Sequence, residues 1–497
     1  MHRGAAVLLF SAVGCAQLAG IDETTGGDPP RDVASLRIQH VSVGSTVIAG
    51  AEDLSGLTAT YLVPDATAPQ GLNRVAATLN GPDTWEAEVD GTPPVMFYMP
   101  ELTPPGRSPV PRVWDFGTRT MYGPFVLLEH PSSMPPPEPA MLTVQAMLPA
   151  GGFVGSEGFA LYTVGSWTDR PFSTADVNFP TTPGQPTFGP VTFDYRSSTS
   201  RSGLPFVKIV ASDTVLLLRY LGSALTGVME AAPFTQTGND LISGTMVDVV
   251  ANQTLDVTVH PMAAAARFDR PRPATTTVAM GWALSAAPGA AYTLTQGPVL
   301  QGAGVVPTDP TLVINAPYGN PFASKGWRST LLWNVNATRM YAPPSRPPIT
   351  LSAGLQQFVE PSAGLMLDLP AGLPESIVFD GVPLTQDGLT LPAPTRAVTV
   401  TFLSNIIDNT LYRLDVYELV VNEATTGHDY VRRLAMTSIK PEFVIPPEVF
   451  ESGDHLYTLR AHCVQGGHPT LDDGDITNRA LPMTLGYLDS GVFQVGP

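Results

Sequence analysis

Residues 455–463 read HLYTLRAHC, and this short stretch decides which class of fold the sequence favours. Its side chains alternate between an apolar and a polar set with a period of two, which is typical of a strand with one buried face. The apolar set is Tyr457, Leu459, Ala461 and Cys463, and the polar set is Thr458, Arg460 and His462. The pattern therefore predicts a β-strand that presents arginine and histidine to the outside.

Two stretches just before this one show the same alternation. Residues 397–402 place Val398, Val400 and Phe402 on one face. Residues 411–421 place Tyr412, Leu414 and Val416 inward and Arg413 and Asp415 outward. Three such strands within about a hundred residues predict a β-sandwich at the carboxyl end of the chain.

Composition extends this expectation to the whole chain of 497 residues. Lysine occurs only at Lys208, Lys325 and Lys440, although lysine is one of the residues that usually covers the solvent face of helices. The chain also contains 51 Pro, and proline interrupts helical periodicity. We therefore expect an all-β fold made of several serial antiparallel β-sandwich-like domains with very little helix. One short helix is expected over residues 262–267.

Glycine turns predict two β-meanders. Residues 74–99 contain Asn80-Gly81 and Asp90-Gly91, and residues 376–391 contain two Asp-Gly pairs. These pairs tolerate the positive φ angles that tight hairpin turns need. Between the first two pairs, Trp85, Ala87 and Val89 alternate with glutamates and are expected to face a core. The sequence shows no repeat of fixed period.

These signals divide the chain into seven expected segments. Two of the boundaries rest on proline-rich stretches, at 131–139 and 342–348, which are either linkers or loops inside one domain. The segments are a signal peptide over 1–14, a flexible tether over 15–32, an amino-terminal β domain over 33–103, a Pro-rich connection over 104–139, a middle β region of one or two domains over 140–341, a Pro-rich linker with a β-meander over 342–392, and a β-sandwich over 393–497.

The amino terminus has the features of a targeting sequence. A short basic start is followed by a largely apolar run that is too short to span a bilayer but fits the hydrophobic part of a signal peptide. The run ends at Ala12-Val13-Gly14-Cys15, which resembles the lipobox of bacterial lipoproteins, except that Ala12 replaces the usual leucine. The alternative is an ordinary secretory signal that leaves Cys15 as a free thiol.

The lipoprotein resemblance implies a modified and anchored protein. Cys15 would be lipidated and become the first residue of the mature chain, and acyl chains would hold it on a membrane. Because Ala16 rather than aspartate follows, the resemblance favours the outer membrane, on either its periplasmic or its external face. Only Cys463 would then remain as a thiol, so no disulfide within the chain is expected.

The carboxyl-terminal sandwich resembles a fibronectin type III-like or immunoglobulin-like module. The resemblance rests on a corner tyrosine, Tyr457, that precedes an alternating inward set. It implies that residues 397–402, 411–421, 442–446, 455–463 and 487–495 are strands B, C, E, F and G. Phe402 replaces the usual strand-B tryptophan. Folds of this kind host many functions, so the resemblance implies a scaffold or interaction module and no particular ligand.

Several possible metal ligands occur near the last loop. Imidazoles, carboxylates and a thiol lie close together in sequence there, and these are the groups that bind metal ions. The candidates are His462, His468, Asp472, Asp473 and Asp475, with His455 and Cys463 beside them. However, His462 and Cys463 are adjacent and would point to opposite faces of a strand. We expect no metal and no other cofactor, and we interpret the loop as a buried cysteine beside a solvated acidic turn.

The net charge and the absence of common catalytic motifs narrow the range of possible functions. The formal net charge of −18 disfavours nucleic acid as a partner, because phosphate binding needs a positive field. The sequence lacks G-x-S-x-G, S-x-x-K, H-E-x-x-H and phosphate-loop patterns, so no catalytic residue is assigned. The favoured hypothesis is a lipid-anchored, non-catalytic structural, adhesive or ligand-binding module of the cell envelope. Its partner would be the membrane together with an envelope protein or a polysaccharide.

The alternative hypothesis is an exported hydrolase or carbohydrate-binding enzyme whose active domain is the middle β region. Six tryptophans could stack on sugars, although an aromatic side chain in a β-sandwich more often belongs to the core. Trp85, Trp114, Trp167, Trp282, Trp327 and Trp333 are the side chains concerned.

Overall fold

The structure, a computed structural model, describes most of the chain. The described residues are 33–43, 47–51, 57–89, 96–99, 110–117, 120–127, 137–164, 168–196, 208–211, 213–269, 277–288, 297–369, 372–404, 411–423, 427–476 and 479–496. The predicted signal peptide, the tether and Cys15 lie outside these ranges. Within them, no helix has the length and hydrophobicity that crossing a membrane requires.

The first sandwich spans residues 33–127. Its strands are β1 (Val33–Val43), β2 (Val47–Ala51), β3 (Thr60–Pro64), β4 (Leu72–Ala76), β5 (Thr78–Asn80), β6 (Thr84–Glu88), β7 (Met96–Met99), β8 (Arg112–Asp115) and β9 (Thr120–Leu127). One sheet has the order β2-β1-β6-β5, and β9 is parallel to β1. The facing strands run in the order β4-β3-β7-β8.

The second sandwich spans residues 137–248. Its strands are β10 (Met141–Met147), β11 (Glu157–Thr163), β12 (Thr168–Phe172), β13 (Thr187–Asp194), β14 (Val215–Leu221), β15 (Ala224–Glu230), β16 (Asp240–Thr245) and β17 (Val247–Asp248). The sheets have the orders β13-β10-β16 and β12-β11-β14-β15-β17. Their facing side chains form a core rich in phenylalanine, which includes Phe159 and Phe188. On the outer face of β14, Leu216 and Leu218 belong to the same buried core as the third sandwich.

The third sandwich spans residues 253–367. Its elements are β18 (Gln253–Val259), helix α1 (Pro261–Ala266), β19 (Thr277–Ala287), β20 (Val299–Val305), β21 (Leu312–Tyr318), β22 (Arg328–Tyr341), β23 (Ile349–Val359) and β24 (Leu365–Leu367). The short sheet has the order β21-β18-β24, and the facing strands have the order β20-β19-β22-β23. Helix α1 confirms the one short helix that the sequence predicts.

The fourth sandwich spans residues 374–495. Its strands are β25 (Pro374–Phe379), β26 (Val382–Pro383), β27 (Leu389–Leu391), β28 (Val398–Ser404), β29 (Leu411–Asn422), β30 (Gly427–Ser438), β31 (Glu442–Ile445), β32 (Leu456–Gly466), β33 (Met483–Asp489) and β34 (Phe493–Val495). One sheet has the order β26-β25-β28-β31, and the facing strands have the order β30-β29-β32-β33. The strand β34 pairs with both β32 and β27.

One strand order recurs in the described part of the chain, although the sequence shows no repeat. If the strands of a unit are lettered a to g, the first three sandwiches each have sheets d-a-g and c-b-e-f, with g parallel to a. Strands a to g are β1, β3, β4, β6, β7, β8 and β9 in the first, β10 to β16 in the second and β18 to β24 in the third. In the fourth, a to f are β28 to β33, and β25 takes the place of g. The all-β fold of several sandwiches is thereby confirmed.

Three of the four sandwiches share one continuous sheet. Strand β23 of the third pairs antiparallel with β33 of the fourth, over Ala353–Phe358 and Met483–Leu488. Strand β30 of the fourth pairs in parallel with β8 of the first, over Ala435–Ser438 and Arg112–Asp115. The first, third and fourth sandwiches together are called the shared-sheet body below.

The residues predicted to face inward in stretches 397–402, 411–421 and 455–463 are all buried. They are Val398, Val400, Phe402, Tyr412, Leu414, Val416, Tyr457, Leu459, Ala461 and Cys463. In the first sandwich the alternating residues Trp85, Ala87 and Val89 are buried as well. Alternation therefore identifies which face of each of these strands packs against the opposite sheet.

The segments between the expected domains differ from the prediction. The expected connection over 104–139 contains β8 and β9, whose apolar side chains Val113, Trp114 and Met121 are buried. The proline-rich stretch 342–348 is the loop of the long β22–β23 hairpin rather than a linker, because both strands continue the same sheet. Residues 128–136, which include most of the other proline-rich stretch, lie outside the described residues.

Each predicted meander is reduced to one hairpin. Strand β5 pairs with β6 across Asn80-Gly81, but β7 crosses to the facing sheet and pairs with β3. Strand β25 pairs with β26 across Asp380-Gly381, where both residues have positive φ. The next strand, β27, instead lies beside β34. Asp90-Gly91 falls outside the described residues.

Candidate functional site: an arginine–tyrosine face

The outer side of the shared sheet carries a cluster of charged and aromatic side chains where the third and fourth sandwiches meet. The cluster extends across β23, β33, β32, β29 and β30, and its members point away from the sandwich core because they alternate with buried residues. They are Ser352, Gly354, Tyr487, Asp489, Arg460, His462, Arg413, Asp415, Tyr417, Tyr430 and Arg432. This set is called the arginine–tyrosine face.

Asp489 joins two sandwiches at one edge of this face. Its side chain is wholly buried, and Oδ2 accepts hydrogen bonds from the backbone nitrogen (2.8 Å) and hydroxyl (3.1 Å) of Ser352 in the third sandwich. Arg460 of the fourth sandwich donates Nε to Oδ1 (2.6 Å) and Nη2 to Oδ2 (3.0 Å). This bidentate, charge-assisted geometry is the strong form of an arginine–carboxylate pair.

Asp415 is the second buried carboxylate, and its side chain is 1% exposed. Arg413 donates Nε (3.1 Å) and Nη2 (2.9 Å) to Oδ1, and Arg432 lies 3.4 Å from the same oxygen. Burial alone raises the pKa of Asp415, but Arg413, the hydrogen bond from His462 and Arg432 outweigh burial and hold that pKa far below its usual range. The carboxylate is therefore ionised throughout the physiological range.

His462 faces the other oxygen of Asp415, with 3.2 Å between Nε2 and Oδ2. Burial lowers the pKa of His462, and Arg413 and Arg460 lower it further, so that the attraction of Asp415 does not restore it. Because the ordinary pKa of histidine is about 6.5, His462 is neutral near pH 7 and donates its Nε2 proton to the carboxylate.

Tyrosine rings surround the central guanidinium. Arg460 Cζ lies 5.3 Å from the ring centre of Tyr417, 5.4 Å from that of Tyr487 and 5.7 Å from that of Tyr430. Arg432 lies over Tyr417 as well and donates Nη2 to its hydroxyl at 2.9 Å. Each such cation–π contact adds about 0.5–1 kcal/mol at an exposed site, so the rings hold the arginine side chains in place.

Two tyrosine hydroxyls reach across to the third sandwich. Tyr487 donates to Asn336 Oδ1 (3.0 Å), and Tyr430 donates to the backbone oxygen of Thr350 (2.6 Å). The ring of Tyr487 passes directly over Gly354, where a Cβ would overlap ring atoms. Glycine is therefore required at this position of β23 if the tyrosine is to cover the strand.

The geometry suits binding and cohesion better than proton transfer. A general acid or base needs a pKa near the working pH, whereas Asp415 is held ionised by its arginines and His462 is held neutral. Asp489 accepts hydrogen bonds from Ser352 and Arg460, which lie on neighbouring strands of the sheet. What remains available to a ligand is the outer part of the arginines, with Arg413 37% and Arg432 30% exposed.

The metal candidates are not brought together. His462 pairs with Asp415, Asp472 and Asp473 are exposed in a short 3₁₀ turn, and Asp475 lies beside Tyr122 of the first sandwich. His468 is half-buried at the start of that turn, with its backbone oxygen bonded to Leu471 N. Burial raises the pKa of the Cys463 thiol to about 12, which disfavours a thiolate ligand. Among the residues that the structure describes, no group of three metal-binding side chains occurs.

A cavity of about 470 Å³ lies on the second sandwich, in the region assigned to the alternative hypothesis. Its walls come from β10, β13 and β16. They are formed by Gln145, Ala146, Met147, Thr187, Phe188, Gly189, Pro190, Ser243, Gly244 and Thr245. None of these ten side chains ionises near neutral pH, so the cavity does not supply the carboxylate pair that glycoside hydrolysis requires.

Five of the six tryptophans are core residues rather than sugar platforms. Trp85, Trp114, Trp282, Trp327 and Trp333 are all buried, and Trp167 lies outside the described residues. The aromatic side chains on the face are tyrosines instead.

The sequence predicts only part of the arginine–tyrosine face. Alternation along β29 and β32 places Arg413, Asp415, Arg460 and His462 outward, but it gives no sign that these residues lie opposite one another. Tyr417, Tyr487 and Ser352 carry no recognisable motif, and only the strand register reveals them.

Comparison with known proteins leaves the family open. No family model matches the chain, and no curated protein matches it. One solved structure with some likeness is described as "Structure of the Streptococcal ancillary pilin", which is 12% identical, with 68% of this chain and 98% of that chain covered. The TM-score is 0.13, so the likeness carries no argument about fold or function.

Proposed function

We propose that the chain is a lipid-anchored protein of the cell envelope that acts as a non-catalytic structural, adhesive or ligand-binding module. The observation that carries the proposal is the arginine–tyrosine face, in which both buried carboxylates are engaged by arginines instead of being available for acid–base chemistry. The shared sheet supports this interpretation, because it gives the face a rigid base that spans several sandwiches.

The fourth sandwich is proposed to be a fibronectin type III-like module. Support comes from the pairing of β25, β28 and β31 in one sheet and of β30, β29, β32 and β33 in the other, which matches strands A, B, E and C′, C, F, G. Strand G is then β33 (Met483–Asp489) rather than the predicted stretch 487–495, because the strand ends at Asp489. The hydroxyl of Tyr457 accepts a hydrogen bond from Glu451 N at 2.8 Å, as expected of a tyrosine that closes the corner before strand F.

Anchoring is proposed to occur at Cys15, with the outer membrane as the destination. The support is the sequence Ala12-Val13-Gly14-Cys15 after an apolar run. The polar stretch of residues 21–32, with its paired glycines and prolines, would link the anchor to the first sandwich.

The test is membrane fractionation of cells that produce the wild-type protein, Cys15→Ala or Cys463→Ala. We expect the wild type and Cys463→Ala to sediment with membranes and to incorporate labelled palmitate, and Cys15→Ala to do neither. Protease treatment of sealed cells then assigns the protein to the external or the periplasmic face. Equal fractionation and equal labelling of all three proteins would contradict the anchor.

A further inference from the structure

We propose that the arginine–tyrosine face is a binding site for a carboxylated polysaccharide. This inference rests on the proposed function as a binding module, since it names the ligand class of the same face. The charge of the face, its aromatic surface and the neighbouring amides each support it.

The local charge has the sign opposite to that of the chain. The formal net charge is −18, yet the face holds three guanidinium groups against two carboxylates. One positive charge is therefore in excess, and the two outermost arginines keep part of their surface exposed. A guanidinium fork matches a carboxylate in a bidentate manner, so a uronate group is the kind of anion that these arginines can recognise.

The face also presents ring surface around the arginines. Tyr430 and Tyr487 are half-buried, and their hydroxyls are fixed by Thr350 and Asn336. A ring that is held in place presents apolar and polar surface at little further cost in conformational entropy. Flat sugar rings can lie against such tyrosines while their substituents meet the arginines.

A row of amides continues the face towards β22. Gln356 donates to Asn334 Oδ1 at 3.2 Å, and Asn336 accepts from Tyr487. All three amide side chains are half-buried on the outer side of the sheet. Amides offer donors and acceptors together, which is the pairing that sugar hydroxyls need. Arginines, tyrosines and amides lie side by side across β22, β23, β33, β32, β29 and β30, which suits an extended chain of sugars rather than one small molecule.

The test measures retardation of the full-length protein in native gels that contain polygalacturonate, neutral dextran or poly-glutamate. We expect retardation in polygalacturonate that weakens as salt is added, and none in dextran. The variants are Arg432→Gln and Arg413→Gln. Arg328→Gln is the matched control, because it changes the net charge by the same amount at an exposed position outside the face. Arg328 lies on the third sandwich beside Glu360.

Loss of one charge-assisted contact should weaken binding about tenfold in Arg432→Gln and Arg413→Gln, while Arg328→Gln binds as the wild type does. Arg413→Lys is the folding control for this position. It keeps the positive charge beside Asp415 and removes only the two-pronged guanidinium group. No retardation of the wild type, equal weakening by Arg328→Gln, or equal retardation in dextran would overturn the proposal. Stronger retardation by poly-glutamate would overturn it in favour of an acidic protein partner. These outcomes do not depend on Cys15, so failure here is distinguishable from failure of the anchor.

Discussion

The second sandwich and the shared-sheet body use the same strand order but treat its last edge differently. In the second sandwich the f strand β15 is covered by the sandwich's own β17, which has only two residues, Val247–Asp248. In the third and first sandwiches the f strands β23 and β8 pair with strands of the fourth. The edge formed by strand f is thus closed within the second sandwich, whereas in the first and third sandwiches it joins the fourth.

The edge strands differ in whether they contain proline. Four of the edge strands contain a proline, which cannot donate to a ladder and therefore blocks further pairing. The prolines are Pro171 in β12, Pro190 in β13, Pro317 in β21 and Pro383 in β26. The joining strands β23, β33, β30 and β8 contain none. Absence of proline leaves the joining strands able to pair further, but it is not sufficient, because β4 and β20 at the two ends of the shared sheet also lack proline.

The largest effects are expected from matched truncations in the two cores. Trp333 of the third sandwich and Phe188 of the second are both completely buried, and replacing either with Ala should cost about 3–5 kcal/mol. Trp333→Ala should expose Cys463 of the fourth sandwich at lower urea, because the two sandwiches share a sheet. Phe188→Ala should leave the exposure of Cys463 unchanged.

Urea titration of Cys463 reactivity towards a thiol reagent measures this effect in a Cys15→Ala background. Cys463 is then the only thiol, and its burial in the native state keeps it unreactive. If Phe188→Ala and Trp333→Ala shifted the midpoint for Cys463 equally, the distinction between the two regions would be lost.

Asp489→Asn should loosen the join between the third and fourth sandwiches. The amide keeps the shape but loses the charge that holds Arg460 and Ser352, and removing one partner of a buried pair should cost about 3 kcal/mol. Glu360→Gln, on the exposed pair with Arg328, should cost no more than about 1 kcal/mol. Denaturant unfolding followed by tryptophan fluorescence measures both variants. Equal losses would argue against a role for Asp489 in the join.

Acid should destabilise the shared-sheet body in two stages. The pKa of His462 is lowered by burial, so below pH ~6.5 the unfolded chain takes up a proton that the native chain does not, and stability falls as the pH falls. The pKa of Asp415 is lowered by its arginines, so its contribution is complete above pH ~4 and is lost as the pH falls further. His462→Gln should weaken the first stage and leave the second, because burial lowers the pKa of His428 on β30 as well. Melting temperatures between pH 2 and 8 test both stages, and an unchanged profile in His462→Gln would refute the first.

Tyr457→Phe should have the smallest effect in this series. It removes the hydroxyl that accepts from Glu451 N while leaving the ring in the core, so a loss of about 1 kcal/mol is expected. The change should be visible in the exposure of Cys463 and absent from any transition of the second sandwich. A loss above about 3 kcal/mol would mean that the corner hydrogen bond holds more of the sandwich than the geometry indicates.

The sequence predicts the faces of individual strands well. Alternation places Leu459 and Cys463 inward and Arg413 and Arg460 outward, and each of these positions is confirmed. Turn pairs such as Asn80-Gly81 and Asp380-Gly381 locate two hairpins correctly. These signals are local, because period-two burial and positive φ depend only on neighbouring residues.

The partners of each strand could not be predicted in the same way. Nothing near Asp489 indicates that it meets Ser352, which lies 137 positions away in sequence. The parallel pairing of β8 with β30 joins residues that are still further apart in sequence, and it depends on which edges are left open once each sandwich has formed. The arginine–tyrosine face arises from that register, so its residues can be found only after the strands are paired.

Native-state hydrogen exchange measured by mass spectrometry tests the central claim most directly, namely that the three sandwiches of the shared sheet open together, whereas the sheet β13-β10-β16 of the second sandwich opens apart from them. We predict that amides of β8, β30, β33 and β23 become exchangeable together, at one denaturant concentration. Amides of β10, β13 and β16 should exchange in a separate transition. Exchange of the first, third and fourth sandwiches in three separate steps would contradict the account.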